Sequence, residues 1–98
     1  MPGADLTGAD LTEANLFRTN LAGATLRSAV LTKSIPMLTN LTGADLSGVN
    51  LIEAYMEDAN LQDANLTGAD LTKAYLEATD LTGADLTQAN FTGAFLEG

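Results

Sequence analysis

The sequence predicts an all-β solenoid in which the chain winds as a square coil, and three observations carry that prediction. From Leu6 to Leu96, nineteen positions recur every five residues; 16 hold Leu and the others hold Pro36, Met56 and Phe91. Two residues before each such centre stands a small side chain: 14 are Ala, and the exceptions are Thr19, Ser34, Thr39, Val49 and Thr79. All nine glycines share one further phase, two residues after a centre.

Neither regular element accommodates this period. Five residues advance an α-helix by about 140° beyond a full turn, so successive leucines would spread around its whole circumference. In a flat strand side chains alternate with period two, and an odd repeat would send consecutive leucines to opposite faces. The chain must instead turn by a fixed angle at every fifth residue. Glycine is suited to such a corner because tight turns often need a positive φ. Four corners close a square. The centre and the small residue two before it then point inward, and the other three positions point out. Leu and Ala alternate in a narrow interior with little room for aromatic rings.

Taken in order, the unit is Ala-(Asp/Asn)-Leu-Thr-Gly, and it keeps phase from Ala4 to the end of the chain. If four units make one coil, residues twenty apart stack. Glu13, Lys33, Glu53 and Lys73 then form a column of alternating charge, its members about 4.8 Å apart, and attraction along it is expected. Thr19, Thr39 and Thr79 share an inward column with Ala59 between them. Their hydroxyls are expected to bond to one another or to inner backbone groups. The Asp and Asn before the centres, such as Asn20, Asn40, Asn60 and Asp80, are expected to bond locally or along their column. Pro36 keeps phase but removes a backbone donor, so a local irregularity is expected at Ser34-Ile35-Pro36-Met37-Leu38.

The run Ala4-Asp5-Leu6-Thr7-Gly8-Ala9-Asp10-Leu11 and its successors resemble the pentapeptide repeat family over residues 4–98. The chain looks most like a small cyanobacterial member. The resemblance implies a right-handed quadrilateral β-helix of four pentapeptides per coil. Nineteen units would then make about five coils and a rod roughly 23 Å long. One domain spanning residues 1–98 is expected.

Composition removes several function classes. The chain has no Cys and no His, so a disulfide framework, a zinc site of ordinary type and His-based nucleophilic catalysis are all disfavoured. No enzymatic activity, cofactor or metal is expected. Thirteen acids against four bases give a formal charge of −9, which argues against direct nucleic-acid binding, since counterion release needs Lys and Arg facing phosphates. No apolar stretch approaches a membrane span of roughly 18 residues. The start, Met1-Pro2-Gly3-Ala4-Asp5, does not read as a signal peptide, and a cytoplasmic location is expected.

The candidate site lies on one outward face. Ile35, Tyr55, Tyr75 and Phe95 recur at twenty-residue spacing just before their centres, and Phe17, Met37 and Leu38 belong to the same face. Four of the five aromatic residues are gathered there. Glu57, Glu77 and Glu97 stand beside the stripe in their own column. Exposed apolar patches of this kind mark interfaces, and stacked rings also stabilise the coil they stand on. The coil ends are expected to be a second association surface, because no capping helix is apparent. The expected role is a non-enzymatic interaction module. Its partner would be a protein: another repeat protein, or a second copy stacked end to end or docked side-on. The alternative implied by the resemblance is an acidic DNA mimic that inhibits a gyrase-type topoisomerase. The expected rod length matches only about seven base pairs at 3.4 Å each.

Overall fold

The computed structural model describes residues 2–96. Among them there is no helix, and every pentad repeats one conformation. The residue before each centre lies in extended backbone. It pairs in parallel with the residue twenty positions away, as in Asp5 with Thr25, Asn20 with Asn40, Asn40 with Asn60 and Asp70 with Asn90. Four pentads therefore complete one turn of the coil. The two residues after each centre form a corner.

The corner is a four-residue turn closed by its own backbone. The Ala44 amide donates to the Leu41 carbonyl at 3.0 Å, and the Ala64 amide to Leu61 at 3.1 Å. The third residue of each turn has φ between 56° and 72°, the signature of a type II turn. The glycine phase read from the sequence is thus the left-handed position. Eleven corners adopt the same conformation without glycine, among them Leu38 at 58° and Lys33 at 58°. A side chain in this region costs roughly 1–2 kcal/mol, so the fold imposes the corner even where the local residue resists it.

Coil is tied to coil by a repeating set of backbone bonds. The Leu41 amide donates to Asn60 at 2.8 Å, the Gly43 amide to Gln62 at 2.9 Å, and the Asn60 amide to Thr39 at 3.0 Å. Buried amides and carbonyls are thereby paired, as a dry interior demands. The core is the file of leucines and alanines from Leu21 to Leu76, most of them 0–1% exposed. Phe91, the one aromatic at a centre, is half-buried.

The Thr column resolves toward the backbone. Thr39 Oγ1 donates to the Leu16 carbonyl at 2.6 Å, and Thr79 Oγ1 to the Met56 carbonyl at 2.7 Å. Each hydroxyl reaches into the preceding coil.

Two expectations are corrected. The Glu13, Lys33, Glu53 and Lys73 column does stack, since the Glu13 amide donates to Thr32 and the Lys33 amide to Ile52. Yet its side chains make no ion pair among the described residues; the pair that forms is Arg27 Nε to Asp45 Oδ2 at 2.7 Å. Corner side chains project into water, where fixing two long chains gains little. The irregularity expected around Pro36 is also smaller than anticipated. The phase and the corner at Leu38 are kept. What is missing is one bridge, between Ile35 and Tyr55, because Pro36 has no N–H to offer the Tyr55 carbonyl. Neighbouring bonds survive, including Tyr55 N–H to Ser34 at 3.0 Å and Leu38 N–H to Glu57 at 3.1 Å. Replacing Pro36 by Leu restores the repeat and one hydrogen bond. It should raise stability by about 0.5–1.5 kcal/mol, less whatever Pro contributes by stiffening the unfolded chain. Urea unfolding of Pro36→Leu measures the sum.

Candidate functional site

The outward side chains are organised first by the Asp or Asn before each centre. Its Oδ1 accepts the backbone N–H two residues on, and a Thr there also donates its hydroxyl. Asp10 takes the Thr12 amide at 3.1 Å and the Thr12 hydroxyl at 2.6 Å; Asn40 takes the Thr42 amide at 3.0 Å and hydroxyl at 2.7 Å. These Asx turns preset the corners that follow an Asp or Asn. The recurring Asp/Asn-Leu-Thr spacing is the sequence signal for them, although the Thr hydroxyl's part in it was not read. Charge is also spaced along the columns. Asp45 sits between Thr25 and Asn65, Asp70 between Asn50 and Asn90, and Asp80 pairs with Asn60, so no Asp pairs with an Asp. At these positions in-register like charges are avoided.

The accepted bonds stabilise the ionised form. The Thr7 and Thr12 hydroxyls, and then their amides, hold the Asp5 and Asp10 carboxyls below the usual carboxylate value. Thr87 does the same for Asp85, and Arg27 chiefly for Asp45. A group whose pKa is depressed on folding stabilises the fold above its unfolded value, near 3.9, and loses that contribution as pH falls through the folded value. Melting temperature should hold from neutrality to about pH 5 and fall below about pH 4. Asp10→Asn keeps the Oδ1 acceptor and should flatten that fall. Thermal melts by circular dichroism across this range test both, and a melting temperature that rises on acidification contradicts them.

On the face of centres Leu16, Pro36, Met56, Leu76 and Leu96, Asn15 keeps this pattern, accepting the Phe17 amide at 3.0 Å, and the four later positions replace it with Ile35, Tyr55, Tyr75 and Phe95. The Tyr55 and Tyr75 rings stack with centroids 4.8 Å apart and planes 4° apart; Tyr75 and Phe95 stack at 4.8 Å and 7°. The ring spacing is the strand spacing of the coil, so the backbone sets the ladder. Tyr55 is 40% exposed and Phe95 49%. Ile35 is half-buried in the same column, next to the missing bridge. Tyr55, Tyr75 and Phe95 are brought together as read from the sequence.

Phe17 and Met37 lie not in that column but in the neighbouring one, with Glu57 and Glu77. The Arg18 amide donates to Met37, the Leu38 amide to Glu57 and the Asp58 amide to Glu77. Phe17 is 47% exposed, with the Arg18 guanidinium 5.2 Å from its ring centroid. Leu38, on the adjoining corner, is 41% exposed. One carboxylate oxygen of Glu57 is closed off from solvent without a hydrogen-bond partner. Glu97 lies outside the described residues. Among the described residues there is no cavity, no cluster of acids arranged to hold a metal ion, and no helix long and apolar enough to cross a membrane.

Comparisons with known proteins agree with this architecture. The sequence model of the Pentapeptide repeats family matches residues 3–34, 39–77 and 59–98. A pentapeptide repeat protein from the Arabidopsis thaliana thylakoid lumen is 35% identical over 94% of this chain and 68% of its own, with a TM-score of 0.73. A second from the cyanobacterium Nostoc PCC 7120 is 31% identical over 95% of this chain and 84% of its own, with a TM-score of 0.54. No curated protein matches the chain. The five-residue phase, the four-unit turn and these likenesses together imply a right-handed quadrilateral β-helix, and the chain belongs to the pentapeptide repeat family.

Proposed function

We propose that this protein is a non-enzymatic interaction module, a rod of about five coils that binds another protein through its aromatic face. The observation that carries the reading is the Tyr55–Tyr75–Phe95 ladder, a rigid apolar stripe held at strand spacing with its outer rings 40–49% exposed. Stacking accounts for the contact between rings, but not for gathering four of the chain's five aromatic residues with Met37 and Leu38 on one face. Tyr and Phe give large contact area at low conformational cost, and such residues anchor interfaces. Among the described residues the leucine-filled interior leaves no pocket.

The test is recovery of binding partners by immobilised wild type and by Tyr55→Ala/Tyr75→Ala, with melts confirming that the variant remains folded. Proteins recovered by the wild type should be lost from the double variant. Recovery of the same set by both would remove the aromatic face from the reading.

A further inference from the structure

We infer that the aromatic face is a self-association surface, on which two copies meet antiparallel in the register that sets Lys33 of each copy against Glu53 of the other. This inference rests on the interaction reading above and names the partner as a second copy.

The first observation is a column of charge that is unused within the chain. Glu13, Lys33, Glu53 and Lys73 border the aromatic column on one side and stack coil upon coil. Their signs alternate, yet none of them forms an ion pair among the described residues. Each occupies a left-handed corner with φ of 57–60°, where glycine is the least strained residue. The two corner columns flanking the opposite face hold seven glycines among ten such corners. The charged column uses glycine only at Gly93. Left-handed non-glycine residues are costly and concentrate at functional sites.

The second observation is that the alternation is self-complementary. A two-fold axis lying between two copies, perpendicular to the coil axis, sets each column against its own counterpart and reverses the order of coils. With that axis between the coils of Lys33 and Glu53, Lys33 faces the second copy's Glu53 and Glu13 faces its Lys73. Symmetry doubles both contacts. Ile35 then lies over the second copy's Tyr55 at the centre. Arg18, held 5.2 Å from the Phe17 ring centroid, stands at the height of the second copy's Glu77. All three bases around this face thus meet acids. Packed sheets lie about 10 Å apart, a gap that a lysine and a glutamate bridge together.

Other registers do worse. An axis passing through a coil sets like charge on like. An axis one coil further along sets Glu57 against Glu77 and leaves Lys33 and Arg18 without acids. A parallel pair brings Glu53 level with the second copy's Glu57–Asp58 corner. The dimer is weak in any case. Each copy carries a charge of −9, and one face of a molecule measuring 29 × 25 × 21 Å buries on the order of 1,000 Å² in all, at the low end of specific interfaces.

Sedimentation equilibrium from micromolar to millimolar concentration tests the inference. Wild type should dimerise, and Tyr55→Ala/Tyr75→Ala should not. Lys33→Glu and Glu53→Lys should each weaken dimerisation about tenfold or more, because each turns two attractions into two repulsions. Mixed together, the two single variants should dimerise as wild type does, since the acidic column of one then meets the basic column of the other. The double variant Lys33→Glu/Glu53→Lys should recover dimerisation by itself. Thermal melts confirm that each variant is folded. A strict monomer, a dimer indifferent to the tyrosine pair or to the single reversals, or a mixture that stays monomeric overturns the inference. The broader interaction reading is decided separately: a strictly monomeric wild type whose captured proteins are lost from Tyr55→Ala/Tyr75→Ala keeps that reading without self-association.

Discussion

Leu61→Ala should destabilise the protein by about 2–5 kcal/mol, a large part of the total stability of a domain of this size. Leu61 is fully buried in the middle of the core. Its backbone is held from both directions, by its own amide to Asp80 at 2.8 Å and by the Ala64 amide to its carbonyl at 3.1 Å. The walls around it are hydrogen-bonded strands and corners, so they have little freedom to collapse into the space left by three carbons. The effect should therefore lie toward the upper part of the range. Leu86, in the last described coil, is 36% exposed, and Leu86→Ala should cost far less. Denaturant unfolding of the two variants provides the comparison. Equal losses would mean that the interior is not a continuous packed file.

Ala64→Leu should be damaging for the opposite reason, costing about 1–3 kcal/mol or preventing folding. Ala64 is 1% exposed and faces inward between two leucine centres. The interior alternates large and small side chains because the square cross-section leaves no room for two large ones in succession. The added isopropyl group would have to push a strand outward and stretch bonds such as Asn65 N–H to Ala44 and Leu66 N–H to Asp85, which are 2.9 and 2.8 Å long. In a loosely filled interior the same substitution would add apolar burial and raise the melting temperature, so the sign of the change discriminates.

The parts of the fold legible in the sequence are those governed by burial. The leucine phase, the inward alanines and the twenty-residue stacking all follow from the requirement that apolar groups meet inside, and that requirement leaves its mark at every unit. The aromatic ladder was legible for the same reason, since spacing alone places Tyr55 over Tyr75. Energies set by solvent and by local geometry were less legible. The Glu13–Lys33–Glu53–Lys73 alternation suggested attraction, but at an exposed corner the side chains remain hydrated instead. Pro36 suggested distortion, but a single missing donor is absorbed when every neighbouring bond is kept. Arg18 over Phe17 and the closed-off oxygen of Glu57 depend on side-chain rotamers, which the repeat does not encode. The asymmetric placement of glycine was present in the sequence, but it gains meaning only once the corners are known to be left-handed throughout.

The central claim is that four pentads make one turn, so that each residue lies against the one twenty positions away. Nuclear Overhauser contacts in the labelled protein test it most directly. The account predicts contacts between the Leu41 amide and the backbone of Asn60, and between the Asn60 amide and Thr39, with equivalents on all four faces. Contacts at any other regular spacing, or the short-range pattern of a helix, would contradict it.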